Sequence, residues 1–86
     1  MPEISRFLGM LITMYYNDHE PAHFHVRYGA QKATIDIEAS DLLDGALSAR
    51  ALALIGEWTN LHRLELLDNW RRARRHEHLS SIAPLD

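Results

Sequence analysis

HFHVRYGAQKATIDIE, residues 23–38, decides the fold. In its first six residues Phe24, Val26 and Tyr28 fall on one side of an extended chain and His23, His25 and Arg27 on the other, because strand side chains alternate faces with period two. KATIDIE (32–38) alternates again, with Ala33, Ile35 and Ile37 against Thr34, Asp36 and Glu38. Two such runs flanking Gly29-Ala30-Gln31 predict an antiparallel hairpin with Phe24, Val26, Ile35 and Ile37 turned to the core. A one-residue slip would turn a whole face over, so few registers are open. A Gly29-Ala30 loop, with Gly29 first in a type II′ turn, sets His25 opposite Thr34 and His23 opposite Asp36. A loop at Ala30-Gln31, or a wider one over 29–32, sets His25 opposite Asp36 and His23 opposite Glu38. In either register two histidines and one or two carboxylates share a sheet face.

Outward from the hairpin, FLGMLITMYY (7–16) reads as a third strand that stops at the turn signal Asn17-Asp18. NDHEPA (17–22) is a loop, in which Pro21 biases Glu20 towards an extended conformation. ASDLLDG (39–45) reads as a turn-rich connector. Ser48 caps a helix running from Ala49 to about Arg75. Leu52, Ile55, Thr59, His62, Leu66 and Ala73 make one stripe on it, Leu54, Trp58 and Leu61 a second, with Trp70 near the seam. That is more apolar surface than one small sheet covers. Either the tail LSSIAPL (79–85) packs back through Leu79, Ile82 and Leu85, or a partner chain covers the rest as a homo-oligomer or heteromer. The expected fold is α+β: a three-stranded antiparallel sheet, then one long C-terminal helix and a tail packing back, in a single domain over 1–86.

At 86 residues the chain buries only about 60–65% of its unfolded surface, so its core is thin. With no cysteine it has neither a disulfide nor a thiolate metal site. No signal-peptide pattern and no run of about 20 apolar residues is visible, and a cytoplasmic setting is expected. The net charge of −3 is uneven: residues 1–46 hold three basic and seven acidic groups, residues 47–86 six and five. That balance excludes a general polyanion magnet. Arg71, Arg72, Arg74 and Arg75 sit where a helix C-terminus favours cations, and the same run can also form a local basic patch.

Three of the six histidines, His19, His23 and His25, fall within seven positions. Two strand residues two apart emerge on one face about 6–7 Å apart, close enough for two imidazoles and a carboxylate to share a transition metal. His23 and His25 with Asp36, or with Glu38 in the second register, would be the ligands, with His19 swinging in from its loop. The same histidines can instead act as general acid and base at an RNA phosphodiester, with Arg27 holding the phosphate and Tyr15, Tyr16 or Tyr28 stacking on a base. The plain alternative is a row of exposed histidine–acid pairs on a wet face. A concave histidine face favours a site, and a flat one favours an adaptor module. His62 reads as a boundary histidine, and Trp58 and Trp70 as core or interface aromatics.

MPEISRF at the start, NDHEPAHFHVRYG in the middle, the EW, LHR, EL and NW elements of the helix and the closing IAPL together resemble the bacterial domain of unknown function 4160. The likeness runs through nearly the whole chain. Asn17, Asp18, His19, Pro21, His23, Phe24, His25, Val26, Arg27 and Tyr28 carry it, with Glu57, Trp58, His62, Glu65 and Trp70. The resemblance implies a cognate small protein encoded nearby, in a pair of toxin–antitoxin type, and a growth-inhibiting activity. It implies no catalytic mechanism. The expected function is thus a small protein of a toxin–antitoxin-like pair. It binds its partner and acts on RNA through His19, His23, His25 and Arg27, with Tyr16, Asp18, Tyr28 and Asp36 as binding residues. The alternative is a non-catalytic metal-binding or protein-interaction module.

Overall fold

In a computed structural model that describes residues 2–85, the hairpin adopts the first of the two registers. β3 (His23–Tyr28) pairs with β4 (Gln31–Asp36) so that His23 faces Asp36, His25 faces Thr34 and Tyr28 faces Gln31. Gly29 opens the two-residue loop at φ 59°, a conformation that costs a glycine little. Phe24, Val26, Ile35 and Ile37 are buried, as the matched alternation requires.

The sheet has five strands in sequential order rather than three. The first difference is at Leu8-Gly9. What reads as one strand over 7–16 is the end of β1 (Glu3–Phe7), a tight turn and β2 (Met10–Thr13). Leu8 at φ 50° and Gly9 at φ 81° are both left-handed, the pattern of a type I′ turn, whose twist matches that of the strands it joins. β1 hides from period-two reading because it carries a bulge: Glu3 pairs with Thr13 but Ser5 with Ile12. The extra residue lets Ile4 and Phe7, three apart, both reach the core. The second difference is β5 (Leu42–Gly45), which pairs with β4 inside the expected connector. All four of its residues are exposed, so it has no apolar alternation to detect. Gly45 makes the pairing, since at φ 80° a Cβ there would overlap the Lys32 carbonyl oxygen.

The helix, α1 (Ala49–Arg74), covers one face of the sheet. Ser48 caps it, its hydroxyl accepting from the Ala51 amide at 3.2 Å. Trp58 is fully buried, its ring centroid 5.3 Å from Phe7 and 5.7 Å from Phe24. The helix breaks step at His62 (φ −120°, ψ 22°), whose Nδ1 lies 2.6 Å from a Glu65 oxygen. The tail packs back as expected, with Leu79, Ile82 and Leu85 buried. The Ile82 amide donates to the Ile4 carbonyl at 2.8 Å, and the Trp58 indole donates to the Ala83 carbonyl at 2.9 Å. Asn69, buried, brackets Ser80: its amide donates to the Ser80 carbonyl at 2.8 Å and its oxygen accepts from the Ser80 amide at 2.9 Å. Trp58 and Trp70 are therefore both buried within one chain, and the apolar surplus on the helix narrows to exposed Leu61 and Leu64. No described helix is long and apolar enough to cross a membrane.

The C-terminal end of α1 anchors the loop that builds the site. The Glu77 amide donates to the Arg72 carbonyl at 2.8 Å and the His76 amide to the Ala73 carbonyl at 3.2 Å, a Schellman closure with His76 left-handed at φ 57°. The Ala73 carbonyl also accepts from the Asn17 amide at 3.1 Å. Arg74 binds Glu20 at 2.8 Å. Residues 17–22, which contain a cis Glu20–Pro21 bond, are thereby held against the sheet end where β3 begins.

Candidate metal centre

The open face of the sheet carries its side chains in rows. Thr13, His25, Thr34 and Asp44 form one row across β2 to β5, and Leu11, Arg27 and Lys32 the next. His23 starts a third at the end where the 17–22 loop folds over. Alternation places His23 on this face, but it does not leave it wet. His23 is buried at 4% exposure, with its ring 5.1 Å from that of Trp70. The plain alternative of a fully solvated histidine row does not describe this face: the loop and the helix end roof one histidine over and leave its neighbour half-open.

The two nitrogens of His23 both face acceptors. Nδ1 lies 2.6 Å from the Pro21 carbonyl oxygen, which can only accept, so Nδ1 carries a proton. Nε2 lies 2.9 Å from Oδ2 of Asp18. His25 points its own Nε2 at the same oxygen, from 3.6 Å, beyond hydrogen-bond range. That nitrogen is buried and has no hydrogen-bond partner among the described residues, while its Nδ1 rests 3.4 Å from the Thr34 hydroxyl. Burial first, and then the nearby His23, hold the His25 ring below the usual imidazole range despite Asp18. Burial opposes ionisation of Asp18 too. It is outweighed by the His19 amide, which donates to Oδ1 at 2.9 Å, and by the His23 ring, so that the carboxyl lies below its usual range. Asp18 is thus an ionised carboxylate fixed between two imidazoles.

One ligand atom from each of Asp18, His23 and His25 falls within 4.8 Å of the others. A tetrahedral ion with bonds of about 2.1 Å sets its ligand atoms about 3.4 Å apart. The observed 2.9 and 3.6 Å straddle that separation. The Nδ1–H bond from His23 to a carbonyl is also the outer contact that fixes the tautomer of a metal-binding histidine. Two imidazole nitrogens and a carboxylate oxygen suit zinc or a neighbouring divalent transition metal, and three protein ligands leave a position open.

Of the residues expected at a site, the structure brings together His23, His25 and Asp18, with His19 at the rim. The His19 side chain is 85% exposed, and its Nε2 is 3.8 Å from Asp18 Oδ1. Asp36, opposite His23 in the sheet, does not join them, because its carboxylate accepts from the Glu38 amide at 3.1 Å and closes the turn after β4. The acidic member is Asp18. Arg27 lies on the same open face, one row beyond His25. Tyr28 lies on the opposite face, beside Gly9 and the start of α1. Tyr16 stacks on His76 at 6.1 Å, at the helix end. The tyrosine at the site is Tyr15, whose ring meets His25 edge-on at 4.4 Å. Tyr15, Asp18, His19, Pro21, His23, His25, Thr34, Leu43 and Asp44 line a concavity over the three ligands, so the histidine face is not flat. Thr34 was visible as the cross-strand partner of His25, whereas Asp44 sits on the strand that sequence patterning cannot see.

No curated protein and no solved structure matches the chain. The model of a family described as a domain of unknown function, DUF4160, matches residues 9–71, a span that includes all three gathered ligands, and the chain belongs to that family.

Proposed function

We propose that this protein binds one divalent transition-metal ion through Asp18, His23 and His25, with the open coordination position turned to the concave sheet face. What carries the reading is the partnerless, buried Nε2 of His25, aimed at the carboxylate oxygen that already faces His23 Nε2. A buried polar atom without a partner costs free energy, and an ion between the three groups removes that cost. Such an ion supplies a Lewis acid for an oxygen ligand or a water. Titration calorimetry of chelator-stripped protein with zinc is expected to give one site per chain, lost in Asp18→Asn and weakened in His25→Gln. Absence of stoichiometric binding of zinc, cobalt, nickel, manganese and iron(II) to the intact chain overturns the reading.

A second reading keeps the toxin–antitoxin-like pair, in the cytoplasm with a cognate small protein. Here His23 and His25 transfer protons at an RNA phosphodiester without a metal. The position of Arg27 beside His25 on the open face favours it. Growth arrest and RNA loss on expression without the neighbouring gene, together with RNA cleavage by the purified protein that a chelator does not affect, support this second reading. Unimpaired growth and intact RNA contradict it.

A further inference from the structure

Arg27 and Lys32 face each other directly across β3 and β4 on the open side of the sheet. Like charges in that position repel, and most sheets avoid the arrangement. Both are exposed, and neither has an ion-pair partner among the described residues, although six carboxylates pair with other basic residues or histidines. The pair lies in a groove of about 240 Å³. Tyr15, His25, Thr34 and Asp44 line both this groove and the concavity over Asp18, so the two adjoin and together make a trough. From His25 to Arg27 is two residues along a strand, about 7 Å.

We propose that the trough binds a small molecule with a terminal phosphate, the phosphate dianion held by Arg27 and Lys32 while the rest of the ligand extends towards the metal ligands. The inference rests on the metal reading for that second end only; the cation pair stands without it. Two adjacent cations match a dianion better than a carboxylate or a phosphodiester, each of which carries one negative charge. The planar guanidinium supplies a two-pronged contact and the ammonium a compact charge. Bound phosphate relieves the repulsion between the two side chains. Asp44, one row away, disfavours an anion lying across Thr34, and so places the phosphate at the Arg27–Lys32 end of the trough.

The test is equilibrium binding of adenosine monophosphate, dimethyl phosphate and a single-stranded RNA oligomer to zinc-loaded and to chelator-stripped protein. The monophosphate is expected to bind more tightly than the diester. Arg27→Gln should weaken it about 10- to 100-fold, as loss of a charged hydrogen-bond pair does. Lys32→Gln should weaken it less, and neither substitution should change zinc affinity or lower Tm. Arg27→Lys should recover part of the loss. If zinc fails to bind but the monophosphate still depends on Arg27 and Lys32, the metal reading falls and the cation-pair site stands. The proposal is overturned if the monophosphate does not bind, if its binding ignores both substitutions, or if the RNA oligomer binds more tightly than the monophosphate.

Discussion

At the scale of single residues, His23 and His25 have the same chemistry and different environments, and the difference is testable. On a wet hairpin face either could be replaced at little cost. His23, however, is 4% exposed and satisfies both the Pro21 carbonyl and the Asp18 carboxylate. His23→Gln is expected to destabilise the stripped protein by about 1–3 kcal/mol, through groups left buried without partners. His25→Gln removes a nitrogen that has no partner, and should cost less than half as much. Urea unfolding of both variants checks this; equal losses would mean that the roof over His23 is not tight. Alternation in HFHVRY was enough to put both histidines on one face. It could not supply the carboxylate, because Asp18 arrives from a loop five residues upstream and loops have no period. Asp36, which pairing placed opposite His23, was the natural choice and is occupied by its own turn.

At the scale of elements, what was legible is what is half-buried. β3, β4 and α1 declare themselves because each has an apolar side and a polar one. β5 has no apolar side, and β1 loses its period at the bulge. The merging of β1 and β2 into one run comes from Leu8, a residue that rarely takes a left-handed conformation, at the first position of a turn. The residue is 54% exposed, so it is not held there by core packing. Leu8→Asn gives the turn the Asn-Gly pair it favours, and is expected to stabilise the protein by about 0.5–1 kcal/mol without touching the site. A lower denaturation midpoint for this variant would contradict the I′ assignment and, with it, the five-stranded sheet.

At the scale of the whole molecule, a thin core is closed by the tail as much as by the helix. Asn69 holds Ser80 by two hydrogen bonds, the Trp58 indole holds Ala83, and Ile82 reaches back to β1. Asn69→Ala leaves both Ser80 backbone groups without their partner. It should cost about 1–3 kcal/mol and speed amide exchange in the tail before the sheet. Exchange that accelerates uniformly would mean the tail is not a separate clasp. The same closure brings the end of α1 to the 17–22 loop, and so sets Asp18 over the histidines. The site is a product of the complete fold rather than of the hairpin that carries most of its ligands. Its central claim is that Asp18, His23 and His25 hold one metal ion. X-ray absorption at the zinc edge of the loaded protein tests this most directly. The account predicts one zinc per chain with two imidazole nitrogens and carboxylate or water oxygens at about 2.0–2.2 Å, a shell that loses one imidazole in His25→Gln. A shell without imidazole scattering, or one unchanged in His25→Gln, would contradict it.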